Sequence, residues 1–309
     1  MSGGRITGVG SALPDNVVTN HDLAKTLDTS HEWIFERTGI SERRIGGTTG
    51  GLGLEAANIA IERAGIDPSE VQLVLFSTIT SDQLFPATAN MIQDAIGAEK
   101  AGAVDLNAAC SGFVYALISG FGHIALGADK VLVVGAETLS RVVDWEDRNI
   151  AILFGDGGGA AVLEATDGPS SLLGWDLGSK GSVGHILQCD SIESKVSMDG
   201  KEVFRQAVVA MSASAKSALE MAGLTIDDVD IIIPHQANIR IIEAAFRRLG
   251  APIEKAVTNL DRTGNTSSAS IPLAMDEALQ QGRINDGDIV LLTGFGAGMS
   301  SASAVLRWG

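Results

Sequence analysis

The chain has 309 residues, of which 45% are apolar, a size that suits one large or two fused α/β domains with a substantial buried core. Its formal net charge of −16 argues against nucleic acid as a partner, since there is no basic surplus to release counterions. Its 2 cysteines exclude a disulfide framework and a four-cysteine zinc site, and together with an N-terminus that lacks a long apolar stretch they predict a cytoplasmic protein.

Strand and helix patterns alternate along the chain. Short aliphatic runs without polar alternation predict strands buried on both faces at residues 71–76, 131–134, 231–233 and 289–292. Helical patterns cover residues 52–64, 89–96, 208–222, 240–249 and 271–281. Gly223, Gly250 and Gly282 stand where helix C-terminal glycines belong, and Pro272 fits a first helical turn. The alternation predicts an α/β fold with mixed or largely parallel sheets.

One uncharged segment, residues 106–128, is long enough to span a bilayer. It contains Asn107, Ser111, Ser119 and His123 as well as several glycines. A helix this rich in small and polar residues is typical of the centre of a large globular fold. We therefore predict a buried central helix and no association with a membrane.

The chain repeats itself at a spacing of 158 residues. Ala64-Gly65 and the following aliphatic run recur at Ala222-Gly223, the strand pattern at 131–134 recurs at 289–292, and Asn107 is matched by Asn265. We predict two related halves, residues 1–166 and residues 167–309. If their edges face each other, groups from the two halves can meet at the junction.

Cys110 is the first candidate for chemistry. It follows an apolar segment and precedes the uncharged helix, so the positive end of the helix dipole would favour its thiolate. Gly112, two residues on, leaves room for a ligand or a second backbone. A buried structural cysteine is the alternative interpretation.

Two further candidates lie in the second half. His235 directly follows an apolar strand, where α/β folds place catalytic groups, although a hydrogen-bonded core or loop histidine fits equally. Asn265 lies in a Gly-Asn-Thr-Ser stretch that could be a simple turn. Its match to Asn107, three residues before Cys110, places it at the predicted junction.

Two glycine-rich stretches, residues 155–159 and 294–298, adjoin apolar runs. Neither has the spacing of a dinucleotide fingerprint or a Walker loop. They are better explained by tight sheet packing or by backbone N–H groups offered to an oxyanion.

Four segments resemble the signatures of the beta-ketoacyl-(acyl-carrier-protein) synthase III family. They are residues 33–40 (WIFERTGI), 107–113 (NAACSGF), 235–240 (HQANIR) and 264–272 (GNTSSASIP), in the family's order along essentially the whole chain. The resemblance implies a thiolase-like fold, two duplicated halves in a five-layer αβαβα arrangement, and a homodimer. It also implies the condensation that starts type II fatty-acid synthesis, from a short acyl-CoA and malonyl-(acyl-carrier protein), without a cofactor or metal.

The resemblance also implies roles for individual residues. Cys110 would carry the acyl group, and His235 with Asn265 would promote decarboxylation. The backbone N–H groups of Cys110 and Ala297 would hold the oxyanion, with Ala297 standing where the family usually has glycine.

Substrate contacts are implied in the same way. Those expected to bind CoA or the carrier arm are Trp33, Arg37, Arg148, Asn238 and Arg240, with Trp33 and Arg148 enclosing the adenine. Arg240, Arg247 and Arg248 form a basic cluster expected to dock the acidic carrier protein. Phe85 would close the acyl pocket of the partner subunit, and its large ring favours a short primer.

Two alternatives remain open. One is a specialised homologue: a polyketide starter synthase, an acyltransferase without decarboxylation, or a long-chain acyl condenser. The other is a non-catalytic subunit that binds CoA or the carrier protein. Retention of His235 and Asn265 favours decarboxylative condensation over simple transfer, and retention of Cys110 favours an enzyme over a binding subunit.

Overall fold

The computed structural model of the protein describes residues 3–309. Its strands are β1 (Gly3–Ala12), β2 (Val17–Thr19), β3 (Glu42–Arg44), β4 (Leu73–Ser77), β5 (Gly102–Leu106), β6 (Lys130–Thr138), β7 (Asp156–Thr166), β8 (Leu172–Ser179), β9 (Leu187–Gln188), β10 (Ser197–Met198), β11 (Ile231–Pro234), β12 (Ile289–Gly296) and β13 (Ser300–Arg307). Its α-helices are α1 (Asn20–Leu23), α2 (His31–Thr38), α3 (Thr49–Ala64), α4 (Thr88–Ala95), α5 (Gly112–Ala125), α6 (Gly200–Ala222), α7 (Ile239–Leu249), α8 (Leu260–Thr263) and α9 (Ser270–Gln280).

Two mixed sheets organise the fold. The first has the strand order β1-β7-β6-β4-β5, and the second has the order β11-β12-β13-β8. β4 runs parallel to β5 and β6, and β11 runs parallel to β12, whereas the strands β7 and β13 are antiparallel to their neighbours. The predicted mixed sheets are confirmed. Loops that carry the candidate residues follow the parallel strands.

The elements stack in five layers. α3 and α4 cover the outer face of the first sheet, α6 covers that of the second, and α5 and α9 lie between the two sheets. The central core joins both halves, for example Leu75 and Phe113 with Ile271 and Leu292. The five-layer αβαβα arrangement implied by the family resemblance is confirmed.

The two halves repeat the same path. β1-α3-β4-α5-β6-β7 corresponds to β8-α6-β11-α9-β12-β13. Equivalent glycines allow the same close packing: a Cβ on Gly8 would lie 2.1 Å from Ala60 O of α3, and one on Gly174 would lie 2.3 Å from Ala218 O of α6. The duplication predicted from the 158-residue spacing is therefore present in the tertiary structure.

Each half has an outer hydrophobic cluster of its own, but the two halves share the central core. The first sheet uses residues 3–166 and the second uses residues 172–307, but α5 and α9 pack between both. An independent domain has a core of its own, and here the central core is shared. The division into domains at residue 166 therefore stays a prediction.

Most predicted helices and strands agree with the structure to within a few residues. The largest difference is α6, which begins at Gly200 and not at residue 208. Its first turns contain Gly200, Lys201 and Glu202, which dilute the apolar pattern, while Asp199 caps the helix by accepting the Glu202 N–H. The uncharged segment forms α5, only 14 residues long. None of the helices within residues 3–309 is long and apolar enough to cross a membrane.

Candidate active site at the junction of the two halves

The Cys110 turn connects β5 to α5. A single 3₁₀ turn, Ala109–Ser111, separates the strand from the helix, and Ala109 takes a left-handed φ of 47°. β12 packs closely against this turn, since a Cβ on Gly296 would lie 2.6 Å from Cys110 N. Cys110 is buried and lines a largely apolar cavity. The sequence thus places the thiol on a strained turn between the halves.

Burial dominates the ionisation of this thiol. It raises the pKa of Cys110 to about 12; the Ser267 hydroxyl lowers the pKa and the Glu137 carboxylate raises it further. Burial therefore favours the thiol form in the protein without substrate, and the predicted contribution of the helix N-terminus towards the thiolate stays a prediction. Loss of solvation outweighs the attraction of a helix end that begins two residues later, at Gly112.

His235 follows β11 and is 1% exposed. Its Nδ1 lies 2.7 Å from Ser270 Oγ, and its ring packs edge-on against Phe295 at a centroid distance of 5.4 Å. Burial lowers the pKa of His235 to about 3, so the imidazole is neutral at physiological pH. Its Nε2 is buried without a hydrogen-bond partner and lines the cavity. A neutral ring with one free nitrogen facing a cavity can act as a donor.

Asn265 lies on the pseudo-equivalent turn of the second half. Ser267, which is 158 residues after Ala109, also has a left-handed φ, of 50°. The Ser267 N–H donates to Asn265 Oδ1 at 2.8 Å, and the backbone of Asn265 bonds to Leu153 O and Gly155 N. With its oxygen occupied, the Asn265 amide has its Nδ2 donor left for the cavity that it lines.

These three side chains share one cavity of ≈ 550 Å³. Ala297 of the loop after β12 also lines it, and Gly296 joins that loop to the Cys110 turn. Much of the remaining wall is apolar, including Ile79, Leu139, Phe154, Val196, Met198 and Phe204. Within residues 3–309, no three His, Cys, Asp or Glu side chains converge as metal ligands.

The residues predicted to enclose the adenine lie close to one another. Trp33 and Arg37 of α2 line the cavity, and the Arg37 guanidinium lies 4.3 Å from the Trp33 ring centroid. Arg148 lies 5.0 Å from the same centroid and donates to Asp28 O at 2.8 Å. An adenine that stacks at van der Waals distance on both Trp33 and Arg148 needs about 7 Å between those two groups. Arg148 must therefore move before an adenine can lie between it and Trp33.

Helix α7 carries the predicted polar contacts and the basic cluster. Asn238 caps the helix by accepting the Arg240 N–H, and its Nδ2 donates to Arg37 O at 3.0 Å. Asn238 and Arg240 line the cavity, whereas Arg247 and Arg248 lie outside it on the last turn of α7. All three arginines are exposed, and within residues 3–309 none forms a salt bridge.

Phe85 is outside the cavity of its own chain. It is 80% exposed, next to Leu84, which is 92% exposed. The nearby edge strand β5 pairs on one side only, with β4. The role of Phe85 in the acyl pocket of a partner subunit stays a prediction.

Two groups behind the cavity wall were not among the sequence candidates. Ser270 holds the imidazole of His235, and Glu137, at the end of β6, accepts hydrogen bonds from Ser267 and Ser268. A lone acidic residue at the carboxyl end of an apolar strand was the one available signal for Glu137. Nothing in the local sequence separates Ser270 from the serines around it.

The five-layer fold, with a thiol, an imidazole and an amide on one cavity, defines a thiolase-like condensing acyltransferase. The sequence model of 3-oxoacyl-(acyl-carrier-protein) synthase III matches residues 104–181, and its C-terminal model matches residues 219–308. The chain is 50% identical over 308 residues to beta-ketoacyl-(acyl-carrier-protein) synthase III 1 of Bacillus anthracis, covering 98% of each protein. It belongs to the beta-ketoacyl-(acyl-carrier-protein) synthase III family.

Solved structures agree with this assignment. The 3-oxoacyl-(acyl-carrier-protein) synthase III of Aquifex aeolicus superimposes with a TM-score of 0.96 at 42% identity, covering 99% of this chain and 100% of that one. A priming beta-ketosynthase from a polyketide biosynthetic pathway gives a TM-score of 0.95 at 40% identity, covering 99% and 96% of the two chains. As a family member, the chain is a condensing acyltransferase for the initiating step of fatty-acid synthesis.

Proposed function

We propose that this enzyme joins a short acyl group from acyl-CoA to malonyl-(acyl-carrier protein), giving 3-oxoacyl-(acyl-carrier protein), CoA and CO₂. The observation that carries this proposal is the convergence of Cys110, His235 and Asn265 on one largely apolar cavity, although they come from different halves of the chain. An apolar wall suits an acyl chain, and the three polar side chains suit one reacting carbonyl at a time.

In the first step, the sulfur of Cys110 attacks the thioester carbonyl of the acyl-CoA. A carbon–sulfur bond to the enzyme forms, the bond to CoA breaks, and the thiol proton ends on the CoA sulfur. The backbone N–H groups of Cys110 and Ala297 would hold the oxyanion of the tetrahedral intermediate. A thiol whose pKa is raised to about 12 becomes nucleophilic only as this proton leaves.

In the second step, the malonyl group loses CO₂ and its enolate attacks the acyl-Cys110 carbonyl. The carbon–carbon bond forms, the carbon–sulfur bond breaks, and the released Cys110 thiolate takes up a proton. His235 Nε2–H and Asn265 Nδ2–H would donate to the enolate oxygen as charge develops there. Burial keeps His235 neutral, and the Ser270 hydroxyl, which accepts the Gln236 N–H, would donate to Nδ1 and so leave the ring proton on Nε2. These steps are complete without a metal or redox cofactor.

Binding of the CoA and the carrier arm is assigned to the mouth of the cavity. Trp33 and Arg148 would enclose the adenine once Arg148 has moved away from the ring, and Arg37 would lie near the phosphates. Arg240 and Asn238 would contact the phosphates and the pantetheine arm. The exposed Arg247 and Arg248 extend this positive surface along α7, and a docking site for an acidic carrier protein would follow from it.

We also propose a homodimer, in which the free edge of β5 pairs with its copy. Val104 on this strand is 44% exposed and Met91 on the adjoining helix α4 is 41% exposed, next to the Leu84-Phe85 loop. A row of unpaired backbone groups flanked by apolar side chains supports association. Each Phe85 would then reach the acyl cavity of the partner. Two free thiols support a reducing, cytoplasmic setting.

The intact mass of the protein after incubation with single acyl-CoA thioesters tests the first step. We expect a mass gain with acetyl- or isobutyryl-CoA that disappears in Cys110→Ser but remains in Cys189→Ser. Addition of malonyl-(acyl-carrier protein) should then remove the acyl group and release CO₂. Absence of labelling by every acyl-CoA from two to twelve carbons would contradict the proposal.

A second candidate follows from the likeness to the priming beta-ketosynthase of a polyketide pathway. Such an enzyme would perform the same chemistry with another primer. The same set of acyl-CoA thioesters distinguishes the two, because preferential labelling by a medium or long chain would favour the specialised role.

A further inference from the structure

Glu137 is a carboxylate with no contact to solvent. It lies at the end of β6, is 0% exposed, and does not line the cavity. Within residues 3–309 it forms no salt bridge. A buried acid without a cationic partner needs hydrogen-bond donors to offset its lost solvation.

The first half supplies donors to one carboxylate oxygen. Thr78 Oγ1 donates to Oε2 at 3.0 Å, the Ile79 N–H donates at 3.1 Å, and Thr80 Oγ1 donates to the same oxygen. The acceptor side of the Thr80 hydroxyl is occupied by the Thr138 N–H at 2.9 Å. Burial raises the pKa of Glu137, and these hydrogen bonds oppose that rise by stabilising the charged form, because a backbone N–H can only donate.

The second half supplies donors to the other oxygen. Ser267 Oγ donates to Oε1 at 3.1 Å, and Ser268 Oγ lies 3.0 Å from the same atom. The backbone N–H of Ser267 holds Asn265 Oδ1, and the Ser267 hydroxyl also faces the Cys110 thiol. Glu137 therefore touches a turn whose residues contact both the nucleophile and the decarboxylation amide.

We propose that Glu137 is a charged positioning residue, which locks the Ser267 turn across the junction of the halves and so orients Asn265 for condensation. The inference rests on the proposed function for the role of Asn265. Its negative charge also acts on the thiol, since Glu137 and Ser267 affect the pKa of Cys110 in opposite directions. The titratable groups around this thiol are Glu137, from β6, and His235, from the loop after β11; Asn265 and Ser267, on the turn of the second half, carry no charge.

Two substitutions give results of opposite sign. Glu137→Gln keeps the shape but removes the charge, so Cys110 should react faster with iodoacetamide at a fixed pH between 7 and 9, by about tenfold for each pKa unit lost. Ser267→Ala leaves the Glu137 carboxylate without the hydroxyl that partly neutralises its charge beside the thiol, so the same reaction should slow by about threefold. Both variants should lower the ratio of condensation to acylation.

The experiment uses the full chain with Cys189→Ser, so that only Cys110 is alkylated, and follows intact mass across pH. Asp276→Asn is the matched control: Asp276 is 1% exposed, lies outside the active-site cavity, and should leave both the alkylation profile and the ratio unchanged. Alkylation that moves in the same direction in both test variants, or an unchanged ratio, would overturn the proposal.

If Glu137→Gln does not fold, Ser267→Ala decides the question by itself. Slower alkylation together with a lower ratio of condensation to acylation supports the proposal, and an unchanged ratio refutes it. Because alkylation needs no acyl substrate, a parent enzyme that alkylates normally but never condenses would instead refute the proposed function.

Discussion

The neutral state of His235 can be tested through stability. In the unfolded chain an ordinary histidine has a pKa of 6.5, whereas burial lowers that of His235 to about 3. Below pH 6.5 the unfolded state binds a proton that the native state does not take up until about pH 3, so the free energy of unfolding falls as pH decreases through this window. At pH 5 the difference is 1.5 pKa units, or about 2 kcal/mol.

The measurement compares the wild type with His235→Gln, which keeps an amide donor but cannot titrate. Urea unfolding at pH 7 and pH 5, at one protein concentration, gives four free energies. Between these pH values the free energy of unfolding should fall by about 2 kcal/mol more in the wild type than in the variant. Carboxylates that titrate in both proteins contribute equally and cancel in this difference. Equal losses would show that His235 titrates normally, and the neutral imidazole donor would have to be abandoned.

Three other perturbations address the site directly. Asn265→Ala should slow condensation by about 10²–10³-fold and leave acylation of Cys110 within a few-fold, because one enolate donor is lost; equal loss of both steps in stopped assays would contradict this. Gly296→Ala places a Cβ 2.6 Å from Cys110 N, so it should lower the free energy of unfolding by about 1–3 kcal/mol and slow acylation. Unchanged thermal unfolding would show that the turn moves to make room for the Cβ. Trp33→Ala should raise the KM for acyl-CoA by about tenfold with little change in kcat; an unchanged KM would place the adenine elsewhere.

The sequence determined the parts of this protein that depend on neighbouring residues. Aliphatic runs and C-terminal glycines such as Gly223 and Gly250, with φ of 68° and 79°, define where strands and helices lie. The 158-residue spacing showed the duplication and matched Asn265 to Asn107, and Cys110 and His235 were found because each adjoins an apolar segment. These signals are local, so they can be recognised before the chain is folded.

Tertiary structure alone decided what depends on burial and on distant neighbours. The helix position of Cys110 favoured a thiolate, but its pKa is raised because folding removes water from the sulfur. The contact between Glu137 and Ser267 spans 130 residues, and the stacking of Arg148 on Trp33 also joins segments far apart in sequence. Solvation and proximity of this kind arise only when the chain folds, and no local pattern encodes them.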